Sequence, residues 1–149
     1  MRVAAVILFT FTTFMFAAKA ASVDELFSQF GLYGTWARDC ASPAAPANPY
    51  VRISTPTPGV VLEQHDLGAH YALNKYSVLA AEKMSATELA VDVIFQPGAE
   101  NQEREKLVFQ VRDGTRRTMF NQPEGKDVLV KGGIVQARGA KTPMLKKCE

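Results

Sequence analysis

From residue 50 onward apolar and polar residues alternate with a period of two through much of this chain, the spacing of strands with one buried face. Residues 50–55 set Val51 and Ile53 against Arg52 and Ser54, and residues 60–65 resume the run. Leu89, Val91, Val93 and Phe95 then alternate with Ala90, Asp92 and Ile94. Further runs cover 107–112, a return strand carrying Met119 and Phe120, and a long final strand over 127–138. Turn signals separate them: Pro56-Thr57-Pro58-Gly59, Asp66-Leu67-Gly68, Pro97-Gly98, Asp113-Gly114 and Pro123-Glu124-Gly125. Asp113-Gly114 suits a two-residue type I′ hairpin, because both central residues of that turn need positive φ. Gly132-Gly133 falls inside the final run and predicts a bulge or sharp bend there.

One helical pattern stands before the strands. Ser22 is placed to cap it, Asp24 and Glu25 fall in its first turn, and Val23, Leu26, Phe27 and Phe30 recur at helical spacing before Gly31 ends it. Two turns of helix are stable only if the apolar face packs on something. The Ala-, Pro- and Asn-rich stretch 41–49 predicts an extended loop. Roughly eight short-linked strands pair antiparallel, and such a sheet hides its edges by closing into an up-and-down barrel. A two-sheet sandwich is the alternative.

Ahead of the helix the chain has a basic Arg2, an apolar run over 3–18 and a small-residue site at Ala18-Lys19-Ala20, the layout of a secretory signal cleaved after Ala20. The run is shorter than the ~20 residues a spanning helix needs. The expectation is an exported protein, periplasmic or secreted, with residues 21–149 as a single domain and no membrane span after cleavage. Charge changes with it: the chain carries 17 Lys+Arg against 15 Asp+Glu, and Arg2 and Lys19 leave with the signal. A neutral domain without a basic stripe gives no support to nucleic acid or an anionic membrane as partner. Lys141, Lys146 and Lys147 read as a solvated end. In an oxidising compartment Cys40 and Cys148, the only two cysteines, are expected to form one disulfide.

Catalytic patterns are missing. There is no phosphate loop, nucleophile elbow, H-E-x-x-H or calcium loop, so no enzyme activity and no cofactor are expected. His65 and His70, with Asp66, oppose each other on one face if Leu67-Gly68 is a two-residue loop, and could then bind a divalent metal. If Gly68 takes a left-handed bulge position instead, the rings diverge and both are exposed turn histidines, the preferred reading. Glu100, Glu103 and Glu105 lie in a stretch, 99–106, that reads as a solvent-facing hairpin with solvated charges.

Gly34-Thr35-Trp36, directly after the short helix and at the head of the first strand, resembles the G-x-W signature of the lipocalin-like barrels, the calycin group. The resemblance implies that the helix closes one barrel end, that Trp36 packs at the floor, and that a cation near the end of the last strand, here Arg138, lies across the Trp ring. Function follows from it in two forms. The first is a binding protein holding a small apolar or amphipathic molecule in the barrel, which needs an interior cavity of roughly 300 Å³ or more. The second is a protein-binding module similar to small exported metalloprotease inhibitors, whose N-terminal segment 21–30 would project from the body, or an envelope protein with no ligand.

Overall fold

The structure is a computed structural model that describes residues 20–148; the expected export signal, apart from Ala20, lies outside the described residues. Chain order is a helix α1 (Val23–Gln29) followed by β1 (Gly34–Ala37), β2 (Tyr50–Thr57), β3 (Val60–Asp66), β4 (Asn74–Lys83) and β5 (Glu88–Phe95). Then come β6 (Glu103–Arg112), β7 (Thr115–Pro123), β8 (Val130–Lys131), β9 (Ile134–Val135) and β10 (Leu145–Cys148). β1 to β7 pair in sequence, each antiparallel to the next, and β10 pairs with both β1 and β7. Eight strands therefore close into a barrel, and β8–β9 hangs from β7 as a short hairpin outside that ring.

α1 forms as its sequence dictates. Ser22 and Glu25 make a reciprocal capping box, and Leu26 and Phe27 are buried. With Leu32 and Trp36 they join Ile53, Val61, Leu89, Val91, Val93 and Phe109 in the interior. Trp36 Nε1 donates to the Leu32 carbonyl at 2.7 Å, which satisfies the ring's only polar atom inside the core. Asp113 and Gly114 take φ of 51° and 70°, the conformation required of the β6–β7 hairpin turn.

Four features depart from the sequence expectation. The last long strand over 127–138 does not exist. Gly132 and Gly133, at φ 58° and 73°, are the two central residues of a tight turn between β8 and β9, and the barrel's closing strand is β10. β4 is a strand where no alternation marked one, because a register shift between Val78 and Ala80 changes which residues face inward. β2 continues through Pro56, tolerated because the pairing is irregular between Ser54 and Thr57. Finally, 99–106 is not a solvent-facing hairpin. From Glu103 on it is β6, paired residue for residue with β5.

Candidate functional site

The parity of β3 sends Val61, Glu63 and His65 inward, and that of β7 sends Arg116 inward from across the barrel. The two charged side chains meet in the interior. Arg116 Nη1 donates to Glu63 Oε2 at 3.0 Å and Nη2 to Oε1 at 3.1 Å, a bidentate pair with both side chains at most 5% exposed. The Arg116 guanidinium also lies 4.3 Å from the centre of the Phe109 ring. His65 Nε2 is 2.6 Å from Glu63 Oε1; an ionised carboxylate only accepts, so Nε2 carries the hydrogen. Burial pushes the Glu63 carboxyl up, but the charges and hydrogen bonds of Arg116 and His65 outweigh it and hold the group at about 2.

An aromatic row adjoins this pair. His65 stands 4.9 Å from Tyr76, and Tyr76 5.1 Å from Phe95. Burial first, then the charges of Glu105 and Glu63, push the Tyr76 phenol well above its ordinary value. Glu105 is buried at the inward parity it shares with Leu107 and Phe109, and it accepts a hydrogen bond from Asn121 Nδ2 at 3.0 Å. Glu103, two residues earlier on the same face, is paired with Lys126. The space left among Glu63, His65, Tyr76, Leu107, Phe109 and Thr118 is a cavity of about 20 Å³, room for one water.

Outside the barrel the face of β4 to β7 carries an open groove of about 670 Å³, lined among others by Ala80, Met84, Ala90, Val108 and Phe120. Met84 in this lining is 57% exposed. Asp92 and Lys106, 3.9 Å apart, border it and also line a second, more polar groove of about 400 Å³ beside the Pro123-Glu124-Gly125 turn, which reaches the inward-facing Val93 and Glu105 at that end of the barrel.

Of the residues singled out in the sequence, Cys40 and Cys148 are bonded, with Cα atoms 5.6 Å apart. Gly34 opens β1 at φ 112°, and Trp36 is buried beneath it. Arg138 is not at the Trp36 ring. It sits exposed in the turn after β9, its N–H donating to the Val135 carbonyl, and the cation over the ring is Lys147, 5.7 Å from its centre. The cause is the mislocated last strand: β10 pairs Lys147 directly with Trp36. Lys147 is therefore no mere solvated end; its Nζ also donates to the Gly31 carbonyl at 3.0 Å.

The histidines do not form a pair either. Seven residues separate β3 from β4, His65 stands opposite Asn74, and His70 is exposed in the loop, so neither short-loop geometry applies. His65 is a partly buried barrel residue committed to Glu63, not an exposed turn histidine. Among the described residues no group of three or more His, Cys, Asp or Glu is arranged to hold a metal ion. Sequence inspection missed Glu63, Arg116 and Asn121 and took Glu105 for a solvated charge. Strand parity was the signal available for Glu63 and Glu105. Comparison with family models, with curated proteins and with solved structures finds no match to this chain.

Proposed function

We propose that this chain is an exported protein-binding module that works through the outer face of its barrel. The observation that carries the reading is the contrast between the two faces of the sheet. Inside, the cavity beside the Glu63–Arg116 ion pair that spans the lumen is about 20 Å³. A pocket for a drug-sized molecule occupies ~300 Å³ or more. Outside, the β4–β7 groove offers about 670 Å³ with exposed Met84 and the side chains of Val108 and Phe120. Contiguous exposed apolar surface of this kind favours contact with another macromolecule.

The lipocalin-like resemblance is kept here in its architecture, a closed barrel with a short helix at one end, while the interior argues against carriage of a small apolar ligand. An inhibitor of the projecting-arm type is disfavoured as well, because Leu26 and Phe27 of the N-terminal segment are core residues. The disulfide and the expected signal favour the periplasm or the exterior as the place of action.

A photo-crosslinking amino acid at Val108, compared with one at Arg52 on β2, tests this in cells that make the protein. A covalent adduct with one polypeptide from position 108 and none from position 52 is the expected result. Equal labelling at both positions, or none at either, contradicts the reading.

A further inference from the structure

Two unmet demands stand side by side at the β6–β7 pairing. Glu105 is buried, 8% exposed, with only a side-chain amide bonded to it where Glu63 has a guanidinium. Its amide partner is incomplete too: among the described residues, Asn121 Oδ1 is the one buried side-chain polar atom with no hydrogen-bond partner. A carbonyl needs a donor, and an ionised carboxylate has none to give.

We propose that Glu105 is a proton-binding site in which one proton, taken from solvent onto Oε1, joins Glu105 and Asn121 into a two-point acid–amide pair. Asn121 Nδ2–H then donates to Glu105 Oε2, as it does here, and Glu105 Oε1–H donates to Asn121 Oδ1. The proton meets both demands at once. It removes a charge from a site without a bonded cation and supplies the donor that the buried carbonyl lacks.

The surroundings favour the neutral form. β5 presents Val93 and β7 presents Pro123 directly opposite Glu105. Of the charged and titratable groups around it, Glu103 on the same strand repels the carboxylate, while His65 of β3 and Lys126 of the β7–β8 loop attract it. Tyr76 of β4 feels the Glu105 and Glu63 charges together, and Glu63 is itself neutralised by Arg116. Burial, then the Glu103 charge, pushes the Glu105 carboxyl above its ordinary value against the pull of the Asn121 hydrogen bond. The sign follows: a folded-state value above the unfolded one gives stability fully present at low pH and lost as pH rises through the folded value. Asn121 also pairs with Val130 through its backbone and accepts from the Leu129 N–H, so loss of the proton sets a buried charge against the strand that anchors β8–β9. The site thus couples pH to the hold on that hairpin.

The test pairs Glu105→Gln with a ¹³C titration of the wild-type side-chain carboxyls. A glutamine amide supplies an N–H where the acid supplies its O–H, so both bonds persist at every pH. Expected is a Glu105 midpoint above the ordinary glutamate value of ~4.3, with wild-type Tm falling relative to E105Q across the same midpoint. A carboxyl titrating at or below ~4.3, or a Tm difference independent of pH, overturns the proposal. Should E105Q fail to fold, the wild-type Asn121 side-chain carbonyl ¹³C signal decides: it moves with the Glu105 midpoint if the carbonyl gains the proton's bond, and a signal that stays fixed overturns the pair.

Discussion

Arg116 is the residue on which the interior turns. Its side chain crosses the barrel to reach Glu63 of β3 and stacks on Phe109 of β6, while its backbone pairs with Leu145 of the closing strand β10. Removing one member of a buried ion pair leaves the other charge unsatisfied, at a cost of about 3–5 kcal/mol, whereas replacing both by apolar residues is often near neutral. Arg116→Met is therefore expected to lose about 3–5 kcal/mol in urea unfolding, and Glu63→Leu added to it to recover at least half of that loss. Losses that simply add would show that the two residues are not coupled. Such residues are hard to see in a sequence because Glu and Arg are mostly exposed in folded proteins. In Val60-Val61-Leu62-Glu63-Gln64-His65, however, the parity that buries Val61 also points Glu63 inward, and in β6 the parity of Leu107 does the same for Glu105. Residue type outweighed parity in the sequence reading, and at these two positions parity was the better guide.

At the scale of elements, what was legible had a strong local cause. The capping box fixes the start of α1, and Asp113-Gly114 fixes the β6–β7 turn. Gly132-Gly133 uses the same positive-φ chemistry, yet strands of two residues on either side are too short for periodicity to register, so the segment read as one bent strand. A Cβ on Gly133 would stand 2.4 Å from Arg117 Nη2, so a larger residue there would also displace the end of the Arg117 side chain. β10 was hidden by its composition: Leu145-Lys146-Lys147-Cys148 has the charge of a tail, and it is a strand because β1 and β7 leave it a gap to fill. That difference separates two lysine and arginine substitutions. Lys147→Ala, which removes the cation over Trp36 and the bond to Gly31, is expected to cost about 0.5–1 kcal/mol. Arg138→Ala should fall within about 0.5 kcal/mol of wild type. Thermal unfolding of the two variants side by side checks this, and the reverse order would return Arg138 to the Trp36 ring.

The described residues form a barrel closed twice, once by the hydrogen bonds of a four-residue strand and once by the Cys40–Cys148 bond at the end of that strand. The bond links residues 108 apart, and in the chain-entropy account a loop of about that length is stabilised by up to ~4.7 kcal/mol. Sequence gave access to this level through the count of cysteines and the rhythm of the strands, and the closed antiparallel barrel with one short helix is what those implied. Whether the lumen is open or filled was not legible, since it depends on an arginine and a glutamate 53 residues apart in sequence finding each other inside. A lumen filled in this way directs function to the outer surface. Native mass spectrometry of the protein purified from its own compartment tests it most directly. The expected result is the bare mass of the polypeptide from Ala21 with one disulfide and no small molecule attached. A bound molecule of a few hundred daltons, released only when the barrel is unfolded, would contradict it.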